Sequence, residues 1–131
     1  MLVETYLGYS AIHGIGLFTK EKILANTKIW QFDEKFDLIL TIEQLKKLPE
    51  WKQTFFNTYC FMNNGLLYYC CDNARFMNHS ENPNSYDLPD GTYALVDIEE
   101  GTELTCNYAG FGITSEDLEF NFSPLNSKIS I

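Results

Sequence analysis

The sequence predicts a mostly β chain, assembled from many short strands with one or two helices inserted near its middle. Three observations predict this. Short apolar and β-branched runs recur along the whole length, turn-forming clusters such as Asn63-Asn64-Gly65 and Pro89-Asp90-Gly91 separate them, and helical spacing coincides with a helix-start signal only between Thr41 and Phe56. No internal repeat, low-complexity tract or Pro/Gly/Ser linker divides the 131 residues, so a single domain over 1–131 is expected, long enough to bury a core.

In chain order, Leu2 to Tyr6 reads as an opening strand, and Gly14-Ile15-Gly16 as a tight turn feeding a strand at Leu17-Phe18-Thr19. The lone G-x-G lacks the third glycine and following helix of a dinucleotide fingerprint. Ala25-Asn26-Thr27 reads as a turn before strands at Lys28 to Phe32 and Phe36 to Leu40. Thr41 and Gln44 have capping-box spacing, and Ile42, Leu45 and Leu48 follow at helical spacing until Pro49. A second short helix is expected around Glu50 to Phe56, its Trp51, Phe55 and Phe56 read as core. Tyr59 to Met62 and Leu66 to Cys71 form a hairpin about Asn63-Asn64-Gly65. Thr92 to Ile98 reads as a half-buried strand, paired through Glu99-Glu100-Gly101 with Thr102 to Cys106. Thr114 or Ser115 caps a short C-terminal helix.

Charge narrows the partners. Nine basic against eighteen acidic residues give a net charge of −9 and a pI near 4.5. That balance opposes direct binding to nucleic acid or an anionic membrane and suits a basic partner such as a Lys/Arg-rich peptide. Cys60, Cys70, Cys71 and Cys106 show neither a C-x-x-C pair nor a His at metal spacing, so reduced thiols and no metal are expected. No basic-then-apolar leader and no run of about 18 apolar residues is seen, which reads as an intracellular, cytoplasmic protein.

Asp72 to Asn84 carries the most chemistry. It crowds one Arg, one His, four Asn and a Pro behind the apolar run Leu66 to Cys71, yet Phe76 and Met77 are too apolar for a solvated loop. Such a stretch either satisfies buried backbone groups or lines a polar pocket. Three separated motifs favour the pocket: Gly14-x-Gly16-Leu17-Phe18, then Arg75-Phe76-Met77-Asn78-His79-Ser80 with Pro83-Asn84, then Glu103-Leu104-Thr105-Cys106-Asn107-Tyr108.

In this order and wording they resemble the SET-domain family of protein-lysine methyltransferases. The middle motif matches the family pattern R-F-x-N-H-S-x-x-P-N at every specified position. The last resembles E-L-T-x-D-Y with Asn107 in place of the Asp. The resemblance covers about residues 12–110. It implies several small sheets, a short helical insert and a C-terminal pseudoknot. It also implies that S-adenosylmethionine is bound on one face and a substrate lysine on the other. By resemblance Gly14, Ile15, Gly16, Leu17, Arg75, Asn78 and His79 serve the cofactor, Tyr108 is the catalytic tyrosine, and Phe32, Phe76, Cys106 and Tyr108 line the lysine channel. The implied substrate is a basic protein segment such as a histone or histone-like tail. The competing reading is a catalytically silent module that binds cofactor or basic peptide.

Four departures from the family stand out. Phe32 replaces a channel tyrosine and has no hydroxyl. Cys106 replaces a larger aromatic, which implies room for more than one methyl. Cys71-Asp72 replaces a common Gly-Asn. Residues 109–131 hold no Cys, hence no zinc-binding tail; instead Phe120, or else Phe111 or Phe122, covers the cofactor from the tail 111–131. Without a flanking recognition region, so small a domain is expected to bind substrate as a homodimer or to act on few targets.

Overall fold

The computed structural model describes residues 1–108. The tail 111–131, its predicted helix and Phe120 lie outside the described residues. Four small sheets and two short helices build the described part. β1 (Thr5–Tyr9) and β2 (Ile15–Thr19) form an antiparallel ribbon. β3 (Lys28–Trp30), β9 (Gly91–Ala94) and β8 (Ser85–Leu88) form a second sheet in that order. β4 (Leu38–Thr41), β6 (Leu66–Tyr69) and β5 (Cys60–Asn63) form the third. The fourth joins β7 (Asn78–His79) and β10 (Thr105–Cys106) in parallel.

Local chemistry explains most of these elements. The capping box is present: the Thr41 side chain accepts from Gln44 N at 3.0 Å, and Thr41 N donates to Gln44 Oε1 at 2.9 Å. It starts α1 (Ile42–Lys46), after which α2 runs Glu50–Tyr59. Asn64 and Gly65 take φ of +51° and +75°, the pair of left-handed residues that a two-residue hairpin turn needs. Asn26 supplies the left-handed turn at φ +68° between β2 and β3.

Two apolar clusters result. The larger holds Leu17, Ile29, Met77, Ile98, Leu104 and Tyr108, and so binds the glycine ribbon, the middle motif and the last motif into one body. The smaller packs Leu45 against Cys60, Met62 and Leu67 under the helical insert.

Three expectations change. The opening strand begins at Thr5, because Leu2 N instead donates to Ile29 O at 2.7 Å. Thr102 to Cys106 does not form a hairpin with the preceding strand, which ends at Ala94. Instead Leu104 N donates to Leu17 O at 2.7 Å, Glu103 bridges Phe18, and Thr105–Cys106 pairs with the middle motif. Trp51 and Phe55 are surface residues rather than core, Trp51 being 69% exposed. Leu45 faces the smaller core from α1, whereas α2 has no fully buried residue. Among the described residues no helix is long and apolar enough to cross a membrane.

Candidate functional site

The Asp72–Asn84 stretch is folded by its own polar groups. The Asp72 carboxylate caps a 3-10 turn (Asn73–Phe76) by accepting from Ala74 N at 2.9 Å, and it also pairs with the Met1 ammonium. Arg75 Nη1 donates to the carbonyls of Asp72 and Cys71 at 3.0 and 3.3 Å, with its guanidinium 4.6 Å from the Phe76 ring centre. The departure at Cys71-Asp72 therefore has a structural use: it anchors this turn.

β10 is gripped by the middle motif on both flanks. Ser80 N donates to Cys106 O at 2.9 Å, while Asn84 Nδ2 donates to Glu103 O at 2.8 Å and Asn84 Oδ1 accepts from Thr105 N at 2.9 Å. Ser85 Oγ donates to Thr105 O at 2.6 Å. The last motif is thus seated between Asn78–Ser80 and Asn84–Ser85, although some 20 residues separate these segments along the chain.

Asn78 is 2% exposed, and its amide hydrogens are spent within the protein. They are shared among His13 O at 3.0 Å, Ile15 O at 3.2 Å and Glu103 Oε1 at 2.9 Å. All three motifs therefore meet at one side chain. His79 Nδ1 accepts the Tyr108 N–H at 3.1 Å, and its Nε2 lies 3.0 Å from Glu81 Oε1. The backbone donor fixes Nδ1 as the unprotonated nitrogen, so Nε2 carries the proton toward Glu81. The Tyr108 ring sits beside this imidazole at 5.3 Å.

Tyr108 itself is 4% exposed and donates its hydroxyl to Met77 O at 2.6 Å. Burial, helped by Cys106 and Glu103, pushes its phenol well above the ordinary value near 10, so it is a neutral hydroxyl at any working pH.

Tyr108 and Cys106 line a cleft of about 740 Å³, walled by Trp30, Phe32, Tyr59, Phe61 and Tyr68. Phe32 stands edge-on to Tyr68 at 5.6 Å, and Phe61 stacks on Tyr68 at 5.2 Å. Of the residues assigned to a channel from sequence, Phe32, Cys106 and Tyr108 share this cleft. Phe76 does not line it; its ring lies edge-on to Tyr59 at 5.8 Å, one layer behind the wall. Arg75 lines the cleft too. The Asp87 and Asp90 carboxylates mark another part of the lining. Burial raises the Asp87 carboxyl, an effect that the 2.6 Å bond from Thr92 Oγ1 opposes. Asp90 is held below the ordinary range, first by the Tyr93 hydroxyl and then by Lys28.

The glycine ribbon presents Gly14 at φ +51° with open space around it, then Ile15, Gly16 and buried Leu17. Beside it His13 Nε2 is buried and has no hydrogen-bond partner among the described residues. Sequence reasoning passed over His13 and Glu103. The first was legible only as the residue next to the glycines. The second lay inside a motif but made no contact that spacing reveals. No group of three or more metal-ligating side chains occurs among the described residues.

The SET domain family model matches residues 14–109. A solved candidate histone methyltransferase of Plasmodium falciparum is 20% identical, with TM-score 0.59, covering 82% of this chain and 95% of that one. A humanized mutant of the Chaetomium thermophilum Polycomb Repressive Complex 2, solved with an inhibitor, is 18% identical with TM-score 0.63, covering 86% of this chain and 16% of that one. At these identities the likeness is one of fold. No curated protein sequence matches the chain.

Proposed function

The chain belongs to the SET-domain family, and from that premise we propose that it is an S-adenosylmethionine-dependent protein-lysine N-methyltransferase. The observation that carries the reading is Tyr108: a buried, neutral hydroxyl held on Met77 O at 2.6 Å, in the wall of an aromatic cleft. The methyl acceptor on this reading is a lysine within a basic protein segment, drawn to an acidic protein of net charge −9. The histone methyltransferase named among the structural relatives supports a histone or histone-like tail. The Polycomb complex supports action alongside other subunits. An intracellular setting, cytoplasmic or nuclear, goes with such a substrate.

The chain's own residues suit the chemistry. When bound, S-adenosylmethionine supplies an electrophilic sulfonium methyl group. Trp30, Phe32, Tyr59, Phe61 and Tyr68 give the cleft an apolar wall, which disfavours the charged form of an amine held against it. Tyr108 donates its O–H hydrogen bond to Met77 O and keeps its oxygen lone pairs for orienting that amine. It is not the base, because burial keeps it protonated. On the opposite side, Gly14, Ile15, Gly16, Leu17, Asn78 and His79 would hold the cofactor, with Arg75 supporting the turn between the two faces. The orphaned His13 Nε2 beside the glycines fits a ligand with a polar amino-acid end, since such a group would satisfy it.

Radiolabelled methyl transfer to a mixture of basic proteins tests this. Wild type labels, and Tyr108→Phe labels roughly a hundredfold less, the scale of losing orientation of a reactant. Equal labelling by the variant overturns the role of Tyr108. Cofactor binding by wild type with no labelling instead favours a silent binding module, a reading that Phe32 and Cys106 in the cleft lining motivate. Cys106 also leaves room beside Tyr108 for a methylated amine, so di- or trimethyl-lysine is expected, and a clean stop at monomethyl-lysine counts against it.

A further inference from the structure

The two glycines of the ribbon motif have different reasons to be glycine. Gly14 needs its left-handed φ of +51° and has nothing near it. Gly16 is not among the residues with positive φ, yet a Cβ there would lie 2.1 Å from Glu103 Oε1 and 2.8 Å from Glu103 Cδ. Glu103 Oε1 accepts from Asn78 Nδ2 at 2.9 Å, and Oε2 accepts from Ser10 Oγ at 2.9 Å. Ser10 Oγ in turn accepts the backbone N–H groups of Ile12 at 2.9 Å and His13 at 3.2 Å. Among the described residues no Lys or Arg pairs with Glu103; neutral donors alone hold its carboxylate.

We propose that Glu103 is a positioning residue for the cofactor side of the site, and that Gly16 lacks a side chain in order to seat the Glu103 carboxylate. The carboxylate takes the space over Gly16 and turns the Asn78 amide toward His13 O and Ile15 O. It also sets the Ser10 hydroxyl that organises the loop up to His13. The ribbon, the middle motif and the last motif are thereby locked at one mutual distance. Gly16 thus serves the cofactor side by way of Glu103: its missing Cβ makes room for the carboxylate. The inference rests on the cofactor reading proposed above, but the clamp itself is visible without cofactor.

A mutant cycle tests it: wild type, Gly16→Ala, Glu103→Ala and the double variant. Two quantities are read: the Kd for S-adenosylmethionine by calorimetry, and the Asn78 side-chain amide resonances by NMR without cofactor. The far end of Glu103 is flexible, so Gly16→Ala displaces the carboxylate, with Ser10 Cβ, 3.0 Å from the added methyl, giving by a few tenths of an ångström. Each single variant is expected to shift the Asn78 resonances and weaken binding about tenfold, the loss of one charge-assisted contact. The double variant binds no worse than Glu103→Ala. The proposal is overturned if Gly16→Ala weakens binding as much on the Glu103→Ala background as on wild type, or if the Asn78 resonances stay unmoved in both single variants. If Glu103→Ala does not fold, Glu103→Gln, which keeps one acceptor oxygen, takes its place in the cycle. Should wild type bind no S-adenosylmethionine, the cofactor reading fails, and the Asn78 resonances still decide the clamp.

Discussion

Raising the pH is expected to unfold this domain through three buried groups that hold their protons while the unfolded chain releases its own. Burial is the main cause in each case. It pushes the Cys60 thiol up, with Cys71 adding to it, and pushes Cys70 well up, with Asp37 and Asp72 adding. It does the same to the Tyr108 phenol. The ordinary values are 9.0 for the thiols and 10.0 for the phenol. Raised folded values mean stability that is fully present below those ordinary values and lost as pH climbs past them, because the unfolded state then binds fewer protons. Each group costs up to about 1.4 kcal/mol per pH unit. Two thiols passing from pH 9 to 10 therefore remove about 2 kcal/mol, and with the phenol joining, the next unit removes about 3.5 kcal/mol. Against a typical domain stability of about 5–15 kcal/mol, that brings unfolding near pH 11 within reach. Urea titrations followed by circular dichroism at pH 7, 8, 9, 10 and 11, under reducing conditions, measure it. A flat stability between pH 8 and 10 would refute the reasoning, as would an equal fall in a Cys60→Ala/Cys70→Ala variant, which should lose nearly all of the first step.

Three shorter predictions follow from the site and the turns. Substituting His79→Ala removes the acceptor of the Tyr108 N–H; stability should fall by about 1 kcal/mol, with methyl transfer and S-adenosylmethionine affinity both falling, as turnover and calorimetry would register. Removing the charge with Asp87→Asn should raise Tm, because burial disfavours that carboxylate. The same change should weaken a Lys-rich peptide by about threefold, the scale of a partly exposed charge pair, in a fluorescence titration. At Gly65, where nothing lies within 4 Å but φ is +75°, alanine should cost about 1 kcal/mol in chemical denaturation from backbone strain alone.

Local signals in the sequence were read well where the physics is local. The Thr41–Gln44 box and the Asn64-Gly65 turn each act within four residues, and both formed as written. What sequence spacing could not reveal is long-range placement. Thr102 to Cys106 looked like the second arm of a hairpin because Gly101 turns there at φ +81°, but its hydrogen bonds go to Leu17 and to the middle motif. The apolarity of Trp51 suggests core, but it is exposed on α2, with Lys52 Nζ 5.3 Å from its ring centre. The motifs put Asn78, His79 and Tyr108 on one page, yet their contacts differ from a simple ligand shell. Asn78 ties the glycine ribbon, and His79 holds the backbone of Tyr108. Glu103 escaped notice because its partners, Ser10 and Asn78, are 93 and 25 residues away.

The parallel pairing of Thr105–Cys106 with Asn78–His79 also bears on how the molecule assembles. A parallel pair cannot zip up from a tight turn, so its two strands must find each other by diffusion of the intervening chain. The ribbon and the two antiparallel hairpins, β5–β6 and β8–β9, can form early from short-range contacts. On that order of events, the Tyr108 bond to Met77 O would wait for the later docking. A folding intermediate that has its hairpins but lacks this last pairing would have native-like strands and an incomplete cleft. Recovery of activity on refolding should then lag behind recovery of secondary structure.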